Sequence, residues 1–147
     1  MQKPPGPAPM PAEPTQAKRF VKARAAQSNA LLEDYAELIA DLLAGVGEAR
    51  PTDIARRLGV SHATAIKTIG RLKREGLAVS QPYRGVFLTP AGEALASKTR
   101  ARHRLVVAVL TAIGVPPESA EQDAEGIEHH ISPATLRAFA AFLKRQA

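Results

Sequence analysis

The stretch PTDIARRLGVSHATAIKTIGRLKREGL, residues 51–77, decides the fold. A short helix is expected from Thr52, as its cap, to Leu58, and Gly59 and Val60 make a tight turn. Ser61 caps a second helix that runs to Glu75, with Gly76 as its stop. Ile54, Ala55, Leu58, Val60, Ala65, Ile69 and Leu72 are spaced to pack the two helices together, and small Ala55 lets them approach. This is the pattern of a helix-turn-helix, with His62, Thr64, Lys67 and Arg71 on the outer face of the second helix. Any helical hairpin shares part of it, so charge becomes the discriminating feature.

Residues 50–84 hold eight basic and two acidic side chains. The flanking segments are nearly balanced, so this block accounts for the net charge of +6. Such a patch on a helix-turn-helix points to phosphate and hence to DNA. Leu77–Ser80 and Val86–Leu88 read as short strands around Gln81-Pro82-Tyr83-Arg84-Gly85. A hairpin there turns the motif into a winged helix, with Arg84 at the tip to meet a phosphate or the minor groove. The DNA-contacting candidates are therefore Ser61, His62, Thr64, Lys67, Arg71 and Arg84.

Working outward, Leu31, Leu32, Tyr35, Leu38, Ile39, Leu42 and Leu43 repeat at helical steps from Ser28 to Val46. Before them, six of the chain's twelve prolines fall within the first fourteen residues. Residues 1–27 are read as a disordered, Pro-rich, basic tail. After the wing, Thr89 caps a long helix with Pro90 in its first turn, reaching about Ile113. A helix over 117–130 and a last one after Ser132 complete the chain. The fold class is mainly α: a winged helix-turn-helix DNA-binding domain at 28–90, then a helical domain at 91–147 that is expected to serve dimerisation.

The chain has 147 residues, 45% of them apolar, and no cysteine. Disulfides, thiolate metal sites and cysteine nucleophiles are excluded. No apolar run approaches a membrane span and no secretory signal is legible, so a cytoplasmic protein without a membrane partner is expected. Any metal must bind through oxygen and nitrogen. In DAEGIEHH, residues 123–130, Glu125, Glu128 and His129 stand at i, i+3 and i+4, on one face of a helix. Two carboxylates and an imidazole suit a divalent cation of hard or borderline character. Asp34 and Glu37 share a face of the first helix, and His103 sits on the long helix; alone, each is unremarkable. A dinuclear oxidase would carry paired Glu-x-x-His motifs, and a metalloprotease HExxH. The sequence has neither, so no enzyme is expected. A metal-independent winged-helix regulator is the other reading, though it leaves the carboxylates and histidines unused.

EDYAELI at 33–39, the winged helix, the histidine within ARHRLVVAVLTAIGV at 101–115, and DAEGIEHH together resemble the manganese-responsive branch of the diphtheria-toxin-repressor family. The resemblance runs in unbroken order from Ala30 to about Phe142, and four separated motifs coincide. It implies a homodimeric, Mn²⁺-dependent repressor of manganese homeostasis genes that binds double-stranded operator DNA. It also implies two Mn²⁺ per subunit, held between the domains by Asp34, Glu37, His103, Glu125, Glu128 and His129. Asp34 stands where the iron-responsive branch tends to carry methionine, and a carboxylate there favours the harder ion. The end at Ala147, with no SH3-like domain after it, is expected of the shorter manganese branch. Two features depart from the pattern. The Pro-rich N-terminus is longer, and Ile66 replaces a polar residue expected on the recognition helix.

Overall fold

The computed structural model describes residues 2–147. Six helices and one hairpin follow in the order α1 (Glu13–Gly45), α2 (Pro51–Leu58), α3 (His62–Arg74), β1 (Ala78–Gln81), β2 (Gly85–Leu88), α4 (Pro90–Ala112), α5 (Pro117–Ile127) and α6 (Pro133–Gln146). A single 3-10 turn, Glu128–His130, joins α5 to α6.

The winged helix forms largely as its sequence pattern dictates, but α2 starts at Pro51 after Arg50, so Thr52 lies inside its first turn and does not cap it. Ser61 caps α3, its hydroxyl accepting from Thr64 N at 3.1 Å. Gly59 takes the left-handed conformation at the end of α2. Leu32, Tyr35, Ile39 and Leu42 of α1 pack with Ile54, Ala55, Ala65, Ile69, Leu72, Ala78 and Val86 in one core. Ile39 and Ile54 are fully buried, so truncating either to alanine costs about 2–5 kcal/mol. The strands pair antiparallel with Val79 opposite Phe87. Gly85 adopts φ +88, and a Cβ there would lie 2.7 Å from Ala49 O, whose carbonyl accepts from Val86 N. Gly92 permits a second close approach: a Cβ would stand 2.0 Å from Leu77 O, so only glycine lets α4 start against the base of the wing.

Two further expectations need correction. The expected tail over 1–27 is helical from Glu13 onward, and α1 spans 33 residues. Proline is tolerated in a first helical turn, as at Pro14, and from Thr15 to Ala44 neither Pro nor Gly interrupts a run rich in Ala, Lys, Arg, Gln and Leu. The last proline of the N-terminal run, Pro14, is thus a helix start signal rather than part of a tail. The expected helix over 117–130 stops at Ile127, and Glu128–His130 tighten into the 3-10 turn. Glu125 and Glu128 therefore stand on two different elements rather than one helix face.

Helix α1 belongs to the winged-helix core and also packs along α4. Ion pairs join the two helices, Arg102 Nη2 to Glu33 Oε2 at 2.6 Å and Arg100 to Asp41. Helix α6 has no fully buried residue; Leu136, Phe139, Phe142 and Leu143 form a half-buried apolar stripe.

Candidate metal centre

Four elements converge on one point: α1, α4, α5 and the 3-10 turn. From α1 comes Asp34, from α4 His103, from the end of α5 Glu125, and from the turn Glu128 and His129. Asp34, Glu128 and His129 form one group whose donor atoms lie within 4.8 Å of one another, and His103, Glu125 and Glu128 form a second. Glu128 belongs to both, and its side chain is fully buried.

In the first group, His129 Nε2 lies 2.9 Å from Asp34 Oδ1 and 3.5 Å from Glu128 Oε1. Despite these distances, neither His129 Nε2 nor Glu128 Oε1 has a hydrogen-bond partner. With Asp34 Oδ1, these atoms stand close enough together to share one cation. Leaving a buried polar atom unpaired costs about 1–3 kcal/mol, which a cation at that point removes. In the second group, His103 Nδ1 is 2.7 Å from Glu128 Oε2 and 3.5 Å from Glu125 Oε1. The two oxygens of Glu128 therefore serve different groups. A donor set of carboxylate oxygens and imidazole nitrogens, without sulfur, fits a divalent ion such as Mn²⁺.

The electrostatics show what holds this arrangement without an ion. Burial pushes the Glu128 carboxyl up to about 7, further raised by Glu125 and opposed by the hydrogen bond to His103. Burial disfavours the His129 imidazolium, but Asp34 and Glu33 outweigh it and push the group up to about 10. Burial also opposes charge on His103, and Glu121 and Glu128 raise its pKa nonetheless.

Five of the six expected ligands thus meet in the two groups. Glu37 stands outside both; it lines a concavity beside Asp34, Asp41, Leu58 and Glu125, and burial followed by the Glu125 charge raises its pKa. His130, not expected to be a ligand, is exposed and lies outside both groups. Sequence reading missed the outer partners: Glu33 at 2.5 Å from His129 Nδ1, Arg102 behind it, and Glu121 at 2.7 Å from His103 Nε2. Glu33 carried a legible signal, because it lies three residues before Ala36 on the side of α1 that the apolar pattern buries.

The expected DNA contacts divide differently. His62, Thr64 and Lys67 are exposed on α3, as is Ile66, and Arg84 is exposed at the wing, 5.6 Å from the Phe87 ring centre. Ser61 and Thr64 are joined by the helix cap, with their hydroxyls 2.9 Å apart. Arg71 is half-buried; its Nε donates to Glu75 at 2.8 Å and its Nη1 to Ser28 O at 3.0 Å, bracing α3 against α1.

A winged helix with an exposed basic recognition helix, tied through one shared helix to a partly buried oxygen and nitrogen donor set, defines a metal-dependent DNA-binding regulator of transcription. Two family profiles place it further. "Iron dependent repressor, N-terminal DNA binding domain" matches residues 29–86, and "Iron dependent repressor, metal binding and dimerisation domain" matches 89–146. The chain belongs to this iron-dependent repressor family, that of the diphtheria-toxin repressor, and is of the MntR type; it is a metal-dependent transcriptional repressor and not an enzyme. It is 51% identical over 126 residues to the transcriptional regulator MntR of Salmonella typhimurium, covering 86% of this chain and 80% of that one. Identity to MntR of Lysinibacillus sphaericus is 43% over 101 residues, covering 69% and 73%. Among solved structures, it is similar to the manganese regulator SloR, with a TM-score of 0.70 and 26% identity over 77% of this chain. It also resembles T. acidophilum IdeR, with a TM-score of 0.68 and 28% identity over 76%. The chain spans 53% of the length of each of those two solved chains. No helix among the described residues is long and apolar enough to cross a membrane.

Proposed function

We propose that this chain is a Mn²⁺-activated repressor of manganese homeostasis genes, binding two ions per subunit and a two-fold operator as a homodimer. The observation that carries the reading is the shared, fully buried Glu128, with one oxygen toward each donor group. Asp34, Glu128 and His129 would hold one ion, and His103, Glu125 and Glu128 the other, with Glu37 on the adjoining wall. When bound, the ions supply positive charge that lets these carboxylates stay ionised at close quarters. The names of the similar regulators, MntR and SloR, support manganese, as does a carboxylate at Asp34.

The remaining steps belong to this chain's own residues. Asp34 rides on α1, whose Ser28 carbonyl also holds Arg71 of the recognition helix. Drawing Asp34 toward Glu128 and His129 fixes α1 against the second half, and with it the pose of α3. His62, Thr64 and Lys67 of α3 would then meet the major groove, with Arg84 of the wing on the flanking backbone. Two copies match two half-sites only when both reading heads are held in register, so pre-organisation strengthens operator binding. The half-buried stripe of α6 is the face a second copy would cover. We divide the chain functionally at the start of α4, with 28–90 reading DNA and 91–147 holding metal and partner.

The experiment is operator binding by the purified protein in Mn²⁺ and in chelator. Tight binding only with Mn²⁺ is expected; equal binding in both sinks the proposal.

A further inference from the structure

Glu33 belongs to neither donor group, yet it is a buried carboxylate on α1. An ionised carboxylate in such a place needs partners. Its Oε2 lies 2.6 Å from Arg102 Nη2 and 2.5 Å from His129 Nδ1. The Arg102 guanidinium can only donate, so the oxygen it shares with His129 is an acceptor. His129 Nδ1 therefore carries the donated proton. An imidazole that gives its Nδ1–H to a carboxylate keeps Nε2 as its free electron pair for a metal. Nε2 is the atom of His129 that meets Asp34 and Glu128.

We propose that Glu33 is a positioning residue of the metal centre: it holds His129 in the Nδ1–H form and in the ring orientation that offers Nε2 to the ion, while Arg102 fixes the Glu33 carboxylate in place. This rests on the metal-dependent reading above and deepens it. The other histidine has the same arrangement in a wetter form. Glu121 backs His103 Nε2 at 2.7 Å, but its side chain is 61% exposed, and among the described residues its only salt bridge is to that histidine. Water competes for Glu121 and does not compete for Glu33, so the two outer carboxylates differ in consequence.

The test compares wild type, Glu33→Ala, Glu33→Gln and Glu121→Gln. Mn²⁺ affinity is read from the electron-paramagnetic signal of free Mn²⁺. The His129 tautomer is read by long-range ¹H–¹⁵N correlation in the diamagnetic Zn²⁺-loaded protein. Glu33→Ala is expected to weaken Mn²⁺ binding by roughly 10–100-fold and to erase the pure Nδ1–H signature of His129. Glu33→Gln, which keeps an acceptor oxygen but no charge, falls between Ala and wild type. Glu121→Gln changes affinity less than Glu33→Gln does. Unchanged affinity and an unchanged His129 signature in Glu33→Gln overturn the proposal, and this near-isosteric variant decides the matter even if Glu33→Ala does not fold. Wild-type protein that binds no Mn²⁺ overturns instead the metal-dependent reading, so the two failures are distinguishable.

Discussion

The two donor groups share Glu128 but are built to different purposes. The His129 group draws Asp34 from α1, so it spans the DNA-reading half and the second half, and its imidazole is buried. The His103 group takes all its donors from α4, α5 and the turn after α5, and Glu125 is 63% exposed. A cation in the first group ties two parts of the chain together. A cation in the second stays within one part and reaches the first only through Glu128. The first group is thus the coupling element, and the second supports it.

Removing what the groups share should have the largest effect. Glu128→Gln exchanges one of the two donor oxygens for an amide nitrogen that cannot ligate, removes the charge both groups share, and leaves a neutral side chain in a fully buried place. Mn²⁺ affinity should fall by more than the roughly 10–100-fold that accompanies loss of an outer partner, and Mn²⁺-dependent operator binding should vanish. Titration of the variant by free Mn²⁺ signal and by operator shift checks both. If one group keeps wild-type affinity in this variant, Glu128 does not link the two.

Separating the groups comes next. Asp34→Ala and Glu125→Ala each remove one carboxylate, but only Asp34 comes from the reading half. Near-complete switching needs on the order of 5 kcal/mol of differential affinity between states, and most of it should pass through the Asp34 group. Asp34→Ala should leave a protein that still takes up Mn²⁺ at the His103 group without gaining operator affinity. Glu125→Ala should weaken uptake yet keep a measurable Mn²⁺ response. The reverse ranking in operator affinity at saturating Mn²⁺ would remove the distinction between coupling and support. Asp34→Met, in addition, should shift the metal response away from manganese.

These same residues show what a sequence can disclose. The winged helix was legible because its signals are local: a capping serine, a turn glycine and an apolar spacing over 27 residues that need no partner from elsewhere. The donors at 125, 128 and 129 were legible as residue types, but their geometry was misread as one helix face. A 3-10 turn at Glu128–His130 replaced the last helical turn, and nothing in EGIEHH announces that tightening. Glu33, Arg102 and Glu121 are contacts across 96, 69 and 18 residues of chain, set by how α1 lies on α4 and α4 on α5, and periodicity carries no such information. Arg71 reads as a DNA contact from its place on α3; the folded chain spends it on Glu75 and Ser28 O.

Protons offer a milder way to sharpen the contrast. Glu128 moves from 4.5 unfolded to about 7 folded, so its neutral form favours the metal-free fold. That contribution is full below pH 4.5 and is lost as pH rises through about 7. His129 moves from 6.5 to about 10, so its contribution is full below 6.5 and lost as pH rises through about 10. Both groups therefore make the chelated protein less stable toward high pH. Deprotonated donors, in turn, bind Mn²⁺ better, so metal should add most stability above pH 7. Thermal midpoints with chelator and with Mn²⁺ should diverge between pH 5 and 9, and Glu128→Gln should flatten the part of the chelator curve between 5 and 7. Parallel curves for wild type and Glu128→Gln would contradict the role given to this carboxyl.

The smallest effect lies farthest from either group. Lys67 is exposed on α3 and makes no ion pair among the described residues, so its charge can meet a phosphate. Lys67→Ala should weaken operator binding nearly uniformly across operator sequences and lower the slope of log affinity against log salt by about 1. Mn²⁺ affinity should not change, because the side chain reaches neither donor group. Arg71→Ala should behave otherwise: with the Ser28 brace gone, α3 loosens from α1, and the gain in operator affinity on adding Mn²⁺ should shrink as well. If the two variants prove identical, with equal salt slopes and the full Mn²⁺ gain retained in both, then Arg71 is a simple phosphate contact and the path from Asp34 to the recognition helix does not run through it.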